Sequence, residues 1–281
     1  SLLETSNGIF YGMTYDDDVR NSGAIFSCDT EGNFDTLHSF NLATPTDGLF
    51  PTGNLIEVSS GVFYGMTPFG GSFGDGIIFS CGTSGIPTTI YEFKSSVSGT
   101  EPYGSLLLVS DGLLYGLTKK GGTANRGQLF SIDPNNPTPS LTYIPLIDFP
   151  FPDGKNPLGS LIEPTNFIGS LFGTLAEDGS GGYGGIFVYE TTSTSYFELL
   201  FSGIDGHYPN GSLIEYPIGG SDLWGTTASG GTYGFGTIFY CIVGPTNIGT
   251  LNSVHSFDYF DGATPKGDLV AATDGLLYGM T

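Results

Sequence analysis

Residues 62–81 read VFYGMTPFGGSFGDGIIFSC, and this stretch contains the pattern that decides the fold. An aromatic-glycine pair, Tyr64-Gly65, is followed by Met66-Thr67, a glycine-rich loop and an apolar pair. A repeat period near 50 residues is typical of propellers and other tandem arrays. The aromatic-glycine pair occurs six times, as Tyr11-Gly12, Tyr64-Gly65, Tyr115-Gly116, Phe172-Gly173, Trp224-Gly225 and Tyr278-Gly279.

The rest of the repeat follows in a fixed order. The apolar pair recurs as Ile25-Phe26, Ile78-Phe79, Leu129-Phe130, Ile186-Phe187 and Ile238-Phe239. The next apolar segment ends at Phe40, Phe93, Phe149, Phe201 and Phe257. An Asp-Gly-x-x-Pro turn then occupies residues 47–51, 153–157, 205–209 and 261–265, with a degenerate copy at 99–102. A leucine begins each following unit: Leu55, Leu106, Leu161, Leu213 and Leu269.

Each unit contains four short runs with strand character, separated by turn residues. In the second unit we predict strands at 54–58, 62–67, 76–81 and 89–93. Four antiparallel strands per unit match one propeller blade, whereas solenoid coils, the main competitor, carry fewer elements in shorter repeats. We therefore predict an all-β, six-bladed β-propeller, with five complete units and a half unit in this chain. The predicted units are 1–54, 55–105, 106–160, 161–212, 213–268 and the partial 269–281.

The order of these motifs resembles the GloVer tandem repeat over essentially all 281 residues. The resemblance implies a bacterial protein exported to the cell surface, and it implies no particular biochemical activity. The fourth copy departs most from the pattern, because Phe172-Gly173-Thr174-Leu175 lacks the Met-Thr ending.

The repeat count leaves three alternatives open. The opening strand pair appears six times and the later pair five times, because the half unit stops at Thr281. Upstream residues would complete a sixth blade and close the ring, or the chain was cut from a longer array. As a third alternative, the exposed edge of the last half unit would accept strands from another copy and build a fibre. A ring with unseen flanking residues is the favoured interpretation.

Charge narrows the choice of partners. The chain has 28 acidic and 7 basic residues, for a formal net charge of -21. Nucleic acid and anionic membranes are poor partners, because phosphate binding requires Lys and Arg. No apolar run is long enough to predict membrane insertion. A polar, acidic surface and the family resemblance favour an extracellular or cell-surface location.

The cysteines, two histidines and one glycine-rich motif could suggest catalysis or binding, but each has a structural interpretation. Cys28, Cys81 and Cys241 occupy equivalent positions in different units, so we interpret them as small core residues rather than disulfide partners. His38 and His255 are also equivalent to each other, and a buried or half-buried packing role is favoured over catalysis. The G-x-G-x-x-G match at 179–184 precedes a predicted strand rather than a helix, which excludes a nucleotide loop.

The loops after the second strand differ between units, and such variation on a fixed scaffold is where recognition resides. Their aromatic rings and carboxylates suit sugar binding, and Asp16 and Asp18 are weak candidates for a Ca²⁺ site. We expect no other cofactor. The candidate binding residues are Asp16, Asp17, Asp18, Phe69, Phe73, Asp75, Glu177, Asp178, Tyr183, Tyr233 and Phe235.

Two functions follow from these features. The first is a non-enzymatic binding or structural module that engages carbohydrate, matrix or protein surfaces and is adhesive or filament-forming. The second is a carbohydrate-active enzyme, a glycoside hydrolase or lyase that uses rim carboxylates from different blades. We identify no catalytic residue and favour the first.

Overall fold

The structure is a computed structural model that describes residues 2–17, 21–136, 143–150, 154–178, 181–244 and 247–281. It is 45% strand and 1% helical, and its described helix is the 3-10 turn Pro45–Asp47. No helix in these ranges combines the length and apolar character that crossing a bilayer requires.

The first two units each form a four-stranded antiparallel sheet whose strands pair in chain order. The prediction for the second unit is confirmed, with every strand boundary within two residues of its expected place. The strands are β1 (Leu3–Glu4), β2 (Phe10–Thr14), β3 (Ala24–Cys28), β4 (Phe34–Ser39), β5 (Ile56–Ser59), β6 (Val62–Thr67), β7 (Ile77–Gly82) and β8 (Thr88–Glu92).

Residues 99–148 form a similar sheet and a two-stranded ribbon. The sheet has the order β10-β11-β13-β14, and the ribbon pairs β9 with β12. The strands are β9 (Gly99–Thr100), β10 (Leu107–Leu108), β11 (Leu114–Thr118), β12 (Lys120–Gly121), β13 (Gln128–Ile132) and β14 (Ile144–Asp148).

Residues 154–278 form three further sheets and one ribbon. Their orders are β16-β18-β19, β20-β21-β22-β23 and β24-β25, and the ribbon pairs β15 with β17. The strands are β15 (Gly154–Lys155), β16 (Ser170–Leu175), β17 (Glu177–Asp178), β18 (Gly185–Glu190), β19 (Tyr196–Leu200), β20 (Ile214–Glu215), β21 (Asp222–Thr227), β22 (Thr237–Gly244), β23 (Asn247–Ser256), β24 (Val270–Ala271) and β25 (Leu277–Tyr278).

The fourth sheet corrects the expectation of four full strands in every complete unit. Its first strand is reduced to a single bridge between Ile162 and Phe172. Pro164 follows two residues later and has no N–H with which to extend the ladder. The unit whose sequence departs most from the repeat therefore also has the shortest opening strand.

The chain divides into two compact bodies. The N-terminal body contains Ser1–Leu108 and Gly112–Asp148, and therefore the first three sheets. The C-terminal body contains Val109–Asp111 and Phe149–Thr281, with the remaining sheets. Each body has its own buried aromatic core, which includes Phe79 and Phe130 in the first and Phe187 and Phe239 in the second. The predicted unit boundaries stay a prediction.

A phenylalanine ring covers the recurring glycine of every complete sheet. Gly65 on β6 lies directly opposite Phe79 on β7, and a Cβ placed on this glycine would lie 2.6 Å from the ring atom Cζ. Leu55 approaches the same point to 3.0 Å from the other side. An aromatic ring that packs over a cross-strand glycine restores the contacts that the missing side chain removes. The same arrangement joins Gly12 to Phe26, Gly116 to Phe130, Gly173 to Phe187 and Gly225 to Phe239.

A register shift lies beside this phenylalanine in four of the five complete units. It falls between Ile25 and Phe26 in the first sheet, and at equivalent positions in the second, third and fifth sheets. The fourth sheet pairs without a shift at this point. A bulge increases local strand twist, but it is not required for the ring contact, because Phe187 covers Gly173 in the fourth sheet without one.

Within each body, two of the phenylalanines that end an outer apolar segment contact a phenylalanine that covers a glycine. Phe40 and Phe79 have ring centroids 6.0 Å apart in the N-terminal body. The corresponding separations are 5.6 Å for Phe93–Phe130, 5.2 Å for Phe149–Phe187 and 5.1 Å for Phe201–Phe239. This ring pair therefore occurs twice in each body.

Candidate functional site

The connectors between units hold one residue in a strained conformation. In each connector, the residue immediately before the proline has a positive φ, although none of these residues is glycine. The residue before a proline is normally extended, and a non-glycine residue in the left-handed region costs about 1–3 kcal/mol. We call these the display residues: Phe50 (φ 57°), Glu101 (56°), Asn156 (55°), Tyr208 (57°) and Thr264 (55°).

Hydrogen bonds fix the display residues against the variable loops. The N–H of Glu101 donates to the carbonyl of Asp75 at 3.2 Å, and the carbonyl of Glu101 accepts from Lys119 N–H at 3.0 Å. Tyr208 makes the equivalent bonds with Tyr183 and Ala228 in the C-terminal body. Within each body, the connectors therefore lie beside the loops that follow the second strands. The display residues of the connectors share one backbone conformation, while their side chains differ.

Four aromatic rings form a continuous row in the N-terminal body. Tyr15 stacks on Phe50 at 5.2 Å between centroids, Phe50 meets Phe69 edge to face at 6.2 Å, and Phe69 meets Tyr103 at 6.4 Å. Lys119 Nζ lies 5.0 Å from the Tyr103 centroid and ends the row. Tyr15 is 55% exposed, and the other three rings are half-buried. These residues are the aromatic row.

The charged end of the aromatic row is centred on Glu101. Its Oε1 accepts a hydrogen bond from Lys120 Nζ at 2.7 Å, and its Oε2 lies 4.0 Å from Lys119 Nζ. The hydrogen bond to Glu101 raises the pKa of Lys120, and burial raises the pKa of Tyr103. Exposed ion pairs contribute little stability. Their consequence here is positional, because Glu101 holds Lys119 over the Tyr103 ring.

The predicted site residues in the first loop lie near this row. Asp16 and Asp17 follow Tyr15, and the exposed Asp16 Oδ1 accepts the N–H of Asp17 at 2.9 Å. Asp18, the second residue of the Ca²⁺ hypothesis, lies outside the described residues. In the described ranges, no three His, Cys, Asp or Glu side chains form a metal-binding group. The Ca²⁺ hypothesis stays a prediction.

The predicted residues of the second loop are divided between two places. Phe69 belongs to the aromatic row. Phe73 is 51% exposed and lies under Lys94 Nζ at 4.7 Å instead. Asp75 Oδ2 accepts a hydrogen bond from Ser95 N–H at 2.7 Å, so this carboxylate stabilises the loop backbone. The sequence hypothesis grouped these residues, but only Phe69 lies in the row.

The C-terminal body places Tyr183 and Glu177 beside connectors. The Tyr183 ring stacks on His207 with centroids 4.2 Å apart and planes 21° apart. Glu177 Oε2 lies 3.7 Å from Lys155 Nζ, and the backbone of Asp178 pairs with Gly154. A cavity of about 460 Å³ is lined by Glu177 together with Tyr208, Asn210, Thr264 and Lys266.

The remaining predicted residues, Tyr233 and Phe235, form a smaller aromatic surface. Tyr233 is 60% exposed, and its N–H donates to Ser256 Oγ at 3.4 Å. The Phe235 ring lies 5.5 Å from Tyr259, and its carbonyl accepts the N–H of the display residue Thr264 at 2.8 Å. Each body therefore carries its own set of candidate residues, and the aromatic row is the longest continuous arrangement among them.

Comparison with known proteins identifies the family. The sequence profile of the Gloeobacter/Verrucomicrobia repeat matches residues 1–166 and, in a second match, residues 137–281, so the whole chain is covered. The chain belongs to the Gloeobacter/Verrucomicrobia repeat family. The predicted GloVer resemblance is therefore confirmed. A search of curated protein sequences found no match.

Solved structures similar to this Gloeobacter/Verrucomicrobia repeat protein support the fold. A Bacteroides fragilis protein provisionally named 6-phosphogluconolactonase has a TM-score of 0.57 and 18% identity over 98% of this chain and 74% of its own. Its Bacteroides uniformis counterpart gives 0.57 and 16% over 98% and 75%. A Thermus thermophilus protein provisionally named glucose dehydrogenase gives 0.51 and 14% over 98% and 88%. The all-β, propeller-like architecture is confirmed, while blade number and ring closure stay predictions.

The connector aspartates of the repeat protein accept hydrogen bonds from backbone N–H groups of their own turns. Asp205 Oδ2 accepts the N–H of Ser202 at 3.0 Å, and Asp261 Oδ1 accepts the N–H of Asp258 at 3.0 Å. This backbone bond, followed by contact with His255, lowers the pKa of Asp261. The sequence predicts that these aspartates cap their own turns, and the hydrogen bonds of Asp205 and Asp261 confirm this.

Histidine and cysteine placement agrees with the structural interpretation except at His255 and at Cys28, which is half-buried rather than part of the core. His38 is half-buried against Phe40, as expected, and lies 2.7 Å from Asp47. His255 is exposed instead, because its connector leaves the ring open to solvent while Nε2 contacts Asp261 at 2.7 Å. All three cysteines are free, and burial raises the pKa of Cys81 to about 11 and that of Cys241 to about 12.

His207 gives the repeat protein a pH-dependent contact. Burial against Tyr183 lowers its pKa below 6.5, and its Nε2 has no hydrogen-bond partner among the described residues. Because the unfolded chain binds this proton at a higher pH, the stabilisation is complete above pH 6.5 and is lost as the pH falls through the lowered pKa.

We expect protonation of His207 below pH 6.5 to lower the Tm of wild type, because the folded chain disfavours the charged imidazole. His207→Phe keeps an aromatic stack without the titration and should reduce the pH dependence of Tm, measured by calorimetry between pH 5 and 8. His255→Gln is the matched control for loss of a connector histidine. Equal pH profiles for wild type and His207→Phe would contradict the assignment.

Proposed function

We propose that the protein is a non-enzymatic binding module that recognises carbohydrate chains through the aromatic row of its N-terminal body. The observation that carries this proposal is the continuous contact from Tyr15 through Phe50 and Phe69 to Tyr103, ending at Lys119. Partly exposed aromatic faces stack on the C–H faces of sugar rings. The adjoining carboxylate and ammonium groups bond hydroxyl groups. Binding surfaces commonly combine rigid aromatics with a few fixed polar groups.

Backbone strain supports a functional rather than a purely structural role for the row. Phe50 has a φ of 57° in a connector whose following proline, Pro51, recurs in each of the other connectors. Strained non-glycine residues concentrate at binding and catalytic sites, where the surrounding structure compensates their cost. The display residues repeat this conformation with a different side chain in each connector. They therefore present different chemical groups on the same backbone geometry.

The carbohydrate-active enzyme is the less favoured alternative. Glycoside hydrolysis needs two carboxyl groups about 5–10 Å apart facing the substrate. In the described turns, Asp75, Asp205 and Asp261 accept backbone N–H groups, which occupies the carboxylates that a rim active site would need. Glu101 is paired with lysine. These contacts favour binding over hydrolysis.

We also propose that the module acts outside the cell or at its surface, where matrix or protein surfaces are further partners. The net charge of -21 and the 12% content of charged residues support this location, as does the export implied by the family resemblance. On the repeat count alone, we propose six blades, and self-association into a fibre as a further property of the assembled material.

The binding test uses a panel of neutral and acidic polysaccharides in affinity electrophoresis, followed by titration calorimetry with the best ligand. Tyr15→Ala should weaken binding at least about tenfold, since truncating an exposed aromatic side chain that contacts the ligand costs more than about 1.4 kcal/mol. Phe69→Ala should do the same. Phe73→Ala removes an exposed aromatic from the same loop, outside the row, and should leave affinity unchanged. Binding to none of the panel, or equal loss in all three variants, would contradict the proposal.

A further inference from the structure

The cavity of about 460 Å³ in the C-terminal body collects polar side chains that the fold itself does not use. Small-molecule sites in proteins have volumes of about 300–1,000 Å³, so this cavity is in the range for a ligand. Ala176 and Ala228 supply buried apolar lining. Five polar side chains of the lining have no hydrogen-bond or ion-pair partner within the described ranges: Tyr208, Asn210, Ser229, Thr264 and Lys266.

The charge that remains open in this cavity is positive. Glu177 is the one carboxylate of the lining, and its Oε2 already lies 3.7 Å from Lys155 Nζ. Lys266 has no such counter-ion among the described residues. The chain carries a net charge of -21, but solution ions screen exposed charges beyond about 8 Å at physiological salt, so the nearest group decides. An anionic group is therefore the complement of this cavity.

The connector that carries Thr264 and Lys266 is fixed by the sheets that precede it. The N–H of Thr264 donates to the Phe235 carbonyl at 2.8 Å. The carbonyl of Gly267 accepts a hydrogen bond from Thr226 Oγ1 at 3.4 Å. Contacts among residues 158–267 are therefore sufficient to form the cavity.

The Tyr208 ring is a supported aromatic surface at the cavity. Tyr208 is a display residue, and its backbone bonds to Tyr183 and Ala228 hold it in place. Its ring is 41% exposed and meets His207 edge to face at 6.3 Å between centroids, while His207 stacks on Tyr183. A tyrosine with one apolar face in contact with solvent and a polar tip suits a ligand that is apolar on one side and hydroxylated at its edge, such as a sugar ring.

We propose that this cavity binds a hexuronic acid, a sugar ring that carries a carboxylate. The carboxylate pairs with Lys266, and the sugar face packs on Tyr208. The amide of Asn210 and the hydroxyl groups of Ser229 and Thr264 bond the sugar hydroxyls. Hydrogen bonds between charged groups are about twice as strong as neutral ones, so the site selects acidic over neutral sugars. It shares no residue with the aromatic row and goes beyond the proposed function.

Titration calorimetry of the full chain with trigalacturonate measures this site. The fully methyl-esterified trisaccharide is the matched neutral ligand, and we expect it to bind at least about tenfold more weakly, because an ester cannot pair with Lys266. Free galacturonate distinguishes two sources of the same chemistry. Equal affinity for the monosaccharide supports a free sugar acid as the ligand, and tighter binding of the trisaccharide supports a polysaccharide chain.

Variants of the full chain localise the binding. Lys266→Met should weaken trigalacturonate binding at least about tenfold, while Lys266→Arg keeps the charge and most of the affinity. Lys94→Met is the matched control, because it removes the same charge from a lysine that lies over Phe73 in the N-terminal body, and it should leave affinity unchanged. Tyr208→Asn removes the ring but keeps a residue that tolerates positive φ, and it should also cost at least about tenfold. Circular dichroism checks that each variant is folded.

Tyr15→Ala separates this site from the aromatic row. It should leave trigalacturonate affinity unchanged. If Tyr15→Ala weakens that binding and Lys266→Met does not, the acidic sugar occupies the aromatic row, which overturns this inference and leaves the proposed function standing. Absence of trigalacturonate binding, equal affinity for its methyl ester, or equal loss in Lys266→Met and Lys94→Met would each overturn the inference.

Discussion

Replacing Phe130 by alanine is expected to lower the free energy of unfolding by about 3–5 kcal/mol, the range for deleting a buried aromatic side chain. Phe130 is fully buried, covers Gly116, and lies 5.6 Å from the Phe93 ring and 5.0 Å from Tyr143. The substitution would leave a cavity at the centre of the third sheet and remove the ring contact with the second.

Urea denaturation monitored by circular dichroism measures this effect. Phe260→Ala is the matched control, because Phe260 is 95% exposed and its loss should change stability by no more than about 0.5 kcal/mol. If Phe130→Ala were as mild as Phe260→Ala, the third sheet would not be packed as described.

Gly116→Val is the second large effect, with an expected loss of about 1–3 kcal/mol from overpacking. A Cβ at Gly116 would lie 2.4 Å from Phe130 Cζ and 3.0 Å from Leu106 Cδ2, so both side chains would have to move. The backbone of Gly116 does not have a positive φ, so steric overlap rather than backbone strain is the cause.

Gly267→Val provides the comparison for Gly116→Val. A Cβ at Gly267 meets nothing within 4 Å, and its φ is not in the left-handed region. We expect its Tm to lie close to that of wild type, while the Tm of Gly116→Val falls by several degrees. Equal Tm values in a thermal scan would show that the glycine of the aromatic-glycine pair is not sterically required.

Strand positions could be predicted from the sequence because local signals agree with the tertiary contacts. Val62–Thr67 is a strand at the predicted residues, since β-branched and aromatic side chains lie between a Ser-Gly turn and a glycine-rich loop. The single bridge at Ile162 was not predicted, because the effect of Pro164 depends on which N–H group the neighbouring strand requires.

The candidate site was predicted only in part. Sequence variation between loops indicated Phe69, but nothing local indicated Phe50 or Tyr103, which join the row through connectors about fifty residues apart. The positive φ of Phe50 also opposes the usual preference for extended backbone before proline. The one available signal was that the position before each connector proline carries a different side chain in every unit. Phe73 shares the loop of Phe69 but lies apart, because side-chain direction is set by the glycine turns between them.

The recurring glycine and phenylalanine form one packing unit in each complete sheet, and a double-mutant cycle at Gly116 and Phe130 measures this most directly. In the Phe130→Ala background, the valine of Gly116→Val would enter space that the ring has left. We predict that the double variant is more stable than the sum of the single losses by at least about 1 kcal/mol, a coupling typical of residues in direct contact. Additivity within about 0.3–0.5 kcal/mol would contradict the account.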